Sequence, residues 1–387
     1  MLINKEHFSD RNIATFYLFA MTVQFLAIEG WAVSVVKVGL MALSLLIWLL
    51  RAPVLTRATW WSVAYLLTTT FALYVQWEGV HSSTLIYSLL FMLMFNMYYA
   101  FIHVKEAFTL DYYIKVIRAL IFAFAGVLLM QQIFVTLGIR YFPPLNLMGQ
   151  LYYTTFRLNS LAIEPSHAAR MLTVAGYVLL KLLEIKNGGK QPLGVLFYEN
   201  RRTFIAFLYV MVCLGSGTAF VGLAIISLYF IHPRYIIPLI PISFIVVFIA
   251  HNIEYEPLNR FMAVAEASLE MDSEAMRTAD NSASVRTNII FNTIKYFDIS
   301  DPNLLFGHGE NATWSNPKAI VSAIYDYGLV SYLCKLGLFF SCCFSGLFSL
   351  PVLMFVLLFS FNIGNIAYGW ACLMMLTTLK YFQDNAQ

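Results

Sequence analysis

The chain has 387 residues, of which 60% are hydrophobic, 16% aromatic and only 12% charged, about half the charged share of a soluble domain. Its 24 basic and 21 acidic residues are too few to cover a soluble fold of this length, and such hydrophobicity excludes a disordered chain. The net charge of +3 is too small for a nucleic-acid binder, which leaves an all-α, polytopic membrane protein. A helix needs roughly 20 apolar residues to cross a hydrocarbon core of about 30 Å. Apolar runs at about 12–29, 31–50, 60–77, 83–103, 115–138, 167–185, 203–215, 217–231, 235–251, 319–340, 344–361 and 364–380 predict a single membrane domain of about 12 spans. The first is read as an uncleaved helix, because no small-x-small site follows it and Glu29-Gly30-Trp31 leads into the next run. The pair 203–215 and 217–231 reads as a tight hairpin or one broken helix. Residues 319–380 are apolar almost throughout, with Lys335 their one basic residue before Lys380.

Lysine and arginine set the orientation. With the N-terminus in the cytoplasm, Lys5, Arg11, Arg51, Arg57, Lys105, Lys115, Arg118, Lys186, Lys190, Arg201, Arg202, Arg234 and Lys380 all fall inside. The short outer turns near Gly30, Gly79, Ser216 and Gly364 carry neither residue, and an even number of spans returns the C-terminus to the cytoplasm. Two large outer loops remain, 140–166 and 252–318. The second holds 10 acidic and 5 basic residues. Its net charge is therefore −5, against +8 for the rest of the chain. Leu258, Phe261, Ala265 and Leu269 fall at helical spacing within it, with Glu266, Glu270 and Glu274 on the polar side. Val285, Ile289 or Ile290, Ile294 and Phe297 make a second stripe, which Ser282 or Ser284 would cap. Two short amphipathic helices over the outer mouth of the bundle are expected. Cys213, Cys334, Cys342, Cys343 and Cys372 all lie in apolar runs and read as small buried hydrophobes, without zinc or disulfide spacing.

Basic residues that fall outside break this pattern. They are Arg140, Arg157, Arg170, Arg260, Arg277, Arg286, Lys295 and Lys318, six of the eight being arginine. The planar arginine fork matches phosphate oxygens and stays charged when partly buried, so arginines at one face suggest an anionic headgroup, most simply a phosphate or diphosphate lipid. The alternative, for Arg140, Arg260 and Arg277 above all, is snorkelling to ordinary headgroups or pairing with the acidic loop. Arg157 and Arg170 bracket Leu-Asn-Ser-Leu-Ala-Ile-Glu164-Pro165-Ser166-His167-Ala-Ala. Pro165 fixes an extended approach, Ser166 is a suitable N-cap, and His167 and Arg170 share a face at i, i+3. Glu164 stands beside the positive helix end. The product is a carboxylate, an imidazole and an arginine at a helix mouth suited to anions, unless Glu164 and Arg170 merely pair with each other.

A second cluster is Ser282-Ala-Ser284-Val-Arg286 followed by Gly307-His308-Gly309. Glycines on both sides let the backbone approach a ligand and leave the imidazole open for proton transfer; the bland reading is a solvated loop histidine. Lys37 and Asp326 each lie about two turns into a span, where a charge is a functional candidate by default. Asp326 is near enough to the outer face to line a site below His308, whereas Lys37 has no assigned role. Asn311-Ala-Thr313 is discounted as a chance sequon.

These features resemble the Wzy-type O-antigen polymerases of bacterial inner membranes, within the superfamily that also holds the O-antigen ligases. The resemblance rests on span count, loop placement and three short motifs: Arg157 followed by Glu164-Pro165-Ser166, the serine-rich lead into Arg286, and Leu-Phe-Gly-His308-Gly at the end of the large loop. The Gly215–Thr218 turn departs from it, because many relatives carry an arginine there. The resemblance implies an all-helical bundle of the membrane glycosyltransferase type in the cell inner membrane, with its site at the periplasmic face. The substrate would be an oligosaccharide repeat unit on undecaprenyl diphosphate, and the growing glycan would pass to the non-reducing end of another lipid-linked unit. A chain-length regulator is an implied partner; no cofactor is implied.

The residue chemistry suits that reaction. A diphosphate leaving group needs charge stabilisation, which arginine forks supply, and the acceptor hydroxyl profits from a base. No Asp-x-Asp lies on the outer face, so a metal-independent transfer is expected. Arg286 and Arg157 are expected on the diphosphate, His308 or Glu164 as base, with His308 otherwise positioning the acceptor. Arg170, His167 and Ser284 are expected to support substrate binding. The nearest alternative is an O-antigen ligase, which transfers the glycan to lipid A core. An alternative of another class is a polysaccharide-lipid transporter or flippase, which predicts charges near the bilayer midplane and inverted repeats; the sequence shows no internal repeat.

Overall fold

A computed structural model describes residues 9–24, 35–75, 82–139, 158–231, 263, 266, 297–301, 303–309 and 322–386. Among these residues there are helices and turns but no strand. Eleven helices fall on the predicted apolar runs: α1 (Asp10–Thr22), α2 (Val35–Arg51), α3 (Arg57–Val75), α4 (Ser82–His103), α5 (Leu110–Thr136), α6 (Pro165–Lys186), α8 (Arg201–Cys213), α9 (Gly217–Phe230), α10 (Ser322–Cys342), α11 (Leu350–Phe359) and α12 (Ala367–Asn385). The twelfth, α7 (Leu193–Glu199), is a short helix that no apolar run predicts. The run at 235–251 lies outside the described residues. So do the two loop helices, apart from Ala263 and Glu266, which are helical, and Phe297, which is not.

Two helices make the hub. In α6 every residue from Ala168 to Leu180 is buried, and in α12 every residue from Tyr368 to Leu379 is buried. A helix apolar on all sides needs neighbours on all sides. α6 packs against α5, α8, α9, α11 and α12, and α12 packs against α1, α4, α6 and α10. Peripheral α2, α3 and α5 instead expose apolar side chains such as Leu46, Leu50, Trp60, Leu67, Leu129 and Ile133. Among the described residues two helices are long and apolar enough to cross a membrane, α4 over Leu85–His103 and α5 over Leu110–Thr136.

Polar contacts tie matching helix ends together. Asp10 pairs with Arg51 at 2.9 Å, and Arg11 lies 4.7 Å over the Tyr112 ring. Asp111 at the start of α5 pairs with Lys186 at the end of α6 (2.6 Å), and Arg118 donates to Asn200 beside α8. Lys380 donates to the carbonyls of Phe340, Ser341 and Phe344 at 2.8–3.1 Å, supplying a cation to the open carbonyls and negative dipole of the α10 C-terminus. Arg11, Arg51, Lys186 and Lys380 therefore gather at one end of the bundle, together with Arg118 and Arg201. At that same end begins α8 and ends α9, whose Tyr229 hydroxyl donates to Glu184 (2.7 Å). Residues 201–230 are thus a hairpin of two helices.

Two boundaries differ from expectation for local reasons. α6 starts two residues early, with Glu164 at the N-cap, Pro165 at the first helical position and Ser166 already inside. Proline's fixed φ favours that position, where its missing N–H is no loss. α10 is broken inside its apolar run at Gly328, whose φ of 84° and ψ of 163° are not helical.

The α6–α9 contact tests the packing. A Cβ on Gly222 would overlap Thr173 Oγ1, whereas one on Gly126 would meet nothing within 4 Å. Gly222→Val is expected to destabilise the protein by about 1–3 kcal/mol, read as a lower melting temperature of purified protein, with Gly126→Val as the unaffected control.

Candidate functional site

The first cluster stands where α6 begins, at the end of the bundle opposite the basic residues. The chain reaches it through Leu158–Ile163, an irregular segment buried within the helices. Such backbone survives among apolar helices only if its polar groups are answered internally. Gln131 of α5 does much of this: its Nε2 donates to Asn159 Oδ1 (3.1 Å) and to the Ser160 carbonyl (3.3 Å), and its Oε1 accepts from the Ser160 N–H (2.9 Å). Ser160, held at φ 51°, donates its hydroxyl to the Phe124 carbonyl (2.6 Å). Gln24, just past α1, accepts from the Ile163 N–H (3.1 Å). This clasp delivers Glu164 to the mouth of α6.

Glu164 does not pair with Arg170. Its carboxylate, with the side chain 52% exposed, lies 3.7 Å from His167 Nε2 and accepts from Ser166 Oγ at 3.2 Å. His167 stacks on Tyr368 of α12 with ring centroids 4.2 Å apart. One turn deeper, Arg170 is 8% exposed and donates to the Tyr368 hydroxyl. Its guanidinium lies 5.5 Å from the Tyr368 ring centre and 5.7 Å from that of Phe359. Arg170 Nε has no hydrogen-bond partner among the described residues. The i, i+3 pair is thus brought together as the sequence predicts, on an aromatic wall from α11 and α12 that the sequence does not announce.

The second cluster surrounds His308. Its Nε2 lies 3.2 Å from Asp301 Oδ2, its Nδ1 lies 3.4 Å from the Tyr325 carbonyl, and its ring stacks on Tyr325 at 4.1 Å. Both polar neighbours are acceptors, so a hydrogen on either ring nitrogen is already directed at a protein oxygen. The 303–309 loop is pinned to the break in α10. Leu329 N–H donates to the Leu304 carbonyl (2.8 Å), and His308 and Gly309 N–H donate to the Tyr325 and Asp326 carbonyls (2.8 and 3.2 Å). Gly307, at φ 81°, leaves no room for a Cβ beside the Asp326 backbone, and Gly328 leaves none beside Leu305. The glycine before His308 therefore admits the backbone of α10, which corrects its reading as an approach for ligand. Asp326 stands, as expected, beside the His308 loop.

The clusters adjoin through one small contact region. Leu304 packs with Ala323, Ile324 and Tyr332 of α10, and Phe361, past the end of α11, packs against this group. Arg157, Ser284 and Arg286 lie outside the described residues, as do Arg140, Arg260, Arg277, Lys295 and Lys318. Lys37 is buried in the first turn of α2. Sequence reasoning missed Tyr368 and Tyr325, aromatics inside apolar runs. It also missed Asp301, whose Asp-Pro-Asn setting signals a turn: Asp301 Oδ1 accepts from the Asn303 N–H at 2.9 Å. Among the described residues no group of three or more His, Cys, Asp or Glu could hold a metal ion. No protein-family model, curated protein or solved structure matches this chain.

The clasp gives a test that needs no activity. Gln131→Leu strips partners from three buried groups and is expected to cost about 2–4 kcal/mol, lowering the melting temperature and exposing 158–164 to protease. Gln132→Leu, one position along α5, is expected to leave 158–164 protected.

Proposed function

We propose that this chain is a Wzy-type polymerase of lipid-linked surface polysaccharide. It spans the bacterial inner membrane about a dozen times, with both termini cytoplasmic and its active site at the periplasmic face. The exposed apolar faces of α2, α3 and α5 support immersion in lipid, since soluble monomers rarely leave such area uncovered. The gathering of basic residues at one bundle end supports the orientation. The observation that carries the reading is Arg170: a buried guanidinium at the other end, on an aromatic wall, with no carboxylate partner among the described residues. A buried cation without a counter-ion is costly, and an anionic substrate supplies one.

In the proposed reaction the acceptor's sugar hydroxyl oxygen bonds to the anomeric carbon of the donor glycan. The bond from that carbon to the diphosphate oxygen breaks, and the electron pair leaves with the lipid diphosphate. Arg170, with Arg157 and Arg286 from the outer loops, balances the charge that develops there. The hydroxyl proton passes to Glu164, whose carboxylate is half exposed. His308, fixed between Asp301 and the Tyr325 carbonyl, holds the loop that positions the acceptor sugar, and Ser284 assists in substrate binding. No step requires a metal ion. An O-antigen ligase would use the same chemistry on a lipid A core acceptor. One observation favours a transporter instead: Lys335 is buried within the bundle, as a charge in a transport path would be.

Purified protein given lipid-linked repeat units is expected to build a ladder of products in the presence of a chelator. Arg170→Ala should lower the rate by about 10²–10³-fold, and Arg170→Lys should restore little, because lysine lacks the planar fork. In cells, loss of the gene should leave lipopolysaccharide capped with one repeat unit; a ligase mutant would carry none. A wild-type protein that makes no ladder, yet moves lipid-linked units across vesicles, would overturn the polymerase reading in favour of transport.

A further inference from the structure

Lys335 lies in α10, seven residues after the break at Gly328 and seven before Cys342, about 10 Å from either point along the helix. It is 5% exposed. Its ammonium donates to Asn362 Oδ1 at 3.1 Å and lies 5.6 Å from the centre of the Tyr65 ring. Among the described residues no carboxylate pairs with it. An ammonium this deep is expensive, so its one polar partner is informative.

Asn362 belongs to the turn between α11 and α12. Ser360 and Phe361 there have φ values of 49° and 62°, a left-handed conformation that residues other than glycine adopt only when their surroundings impose it. Three side chains impose it. Tyr332 donates to the Phe361 carbonyl (2.9 Å), Lys335 holds Asn362, and Asn365 donates to Ser88 Oγ of α4 (2.9 Å). Immediately before the turn stands Phe359 and shortly after it Tyr368, the two rings that receive Arg170. On its other side Phe361 packs against the group that includes Leu304, from the loop carrying His308.

We propose that Lys335 is a positioning residue: through Asn362 it fixes the 360–366 turn, and so sets the Arg170 wall relative to the His308 loop. This rests on the transferase reading above. It assigns the buried lysine to site geometry and not to a transport path.

The test uses full-length protein in lipid, with kcat and KM for the lipid-linked repeat unit and the melting temperature measured together. Lys335→Met and Asn362→Leu are each expected to lower kcat about tenfold while KM stays within about twofold. The double variant should lose no more kcat than either single one, because one tie is broken in all three. Its melting temperature should recover towards wild type, since an apolar pair replaces a polar one, while kcat stays low. Should kcat recover along with the melting temperature, the tie is merely structural and the inference fails. It fails equally if KM rises instead, which would put Lys335 on the substrate, or if the two losses add. Where Lys335→Met does not fold, Asn362→Leu alone carries the measurement. A wild-type protein that builds no ladder overturns the transferase reading; wild-type ladders matched by both variants overturn this inference only.

Discussion

α6 and α12 are enclosed on every side, so each polar group on or between them must be answered by another helix and not by solvent. That constraint organises the rest of the fold. It explains why the buried approach to α6 is written with Asn159 and Ser160 and why α5 sends in Gln131 to meet them. It explains why Lys380 ends on three carbonyls, and why Tyr98 and Thr378 share a hydrogen bond of 2.9 Å between α4 and α12. In surroundings without competing water each such contact is stronger than on a surface, and each unmade one is more damaging.

Against that background Arg170 and Lys335 are the anomaly. Carboxylates are present in the bundle: Glu184 takes Lys181 at 2.8 Å, and Asp10 and Asp111 take Arg51 and Lys186. All of these pairs sit at the basic end. Towards the other end, Arg170 and Lys335 are held by a tyrosine hydroxyl, an asparagine oxygen and ring faces. Among the described residues the lysine–carboxylate and arginine–carboxylate pairs thus all sit at the basic end, and Arg170 and Lys335, around the 360–366 turn, have no acidic partner. Such an imbalance is what a site for anions requires before its ligand arrives.

The sequence carried the helices more readily than the site. Apolar runs locate every long helix because burial and lipid demand the same composition, although α7 is too short and too mixed to register. The pairing of His167 with Arg170 follows from helical periodicity alone, which is local. Tyr368, Phe359 and Lys335 could not be placed that way: two are aromatics in apolar runs, Lys335 stands out only as a lone basic residue, and each role comes from a neighbour far along the chain. The break at Gly328 was hidden for the same reason, since one glycine in an apolar run is unremarkable until another backbone is seen resting on it. Ser166 was placed two positions wrong at the cap because Pro165 outweighed it as a starting signal. Arg157, Ser284, Arg286 and nearly all of the two helices expected in the large loop fall on residues outside the described set.

The contact between Gly307 and Gly328 has a genetic consequence. Each glycine faces main-chain atoms of the opposite strand of chain: Gly307 faces Asp326 and Gly328, and Gly328 faces Leu305 and Phe306. When a new side chain collides with another side chain, trimming the neighbour relieves it, and a second-site suppressor can arise. Here the obstacle is peptide backbone, which no substitution shortens, and both positions have positive φ. A lineage that loses either glycine therefore has no compensating change open to it at the contact, and reversion at the same codon is the direct way back.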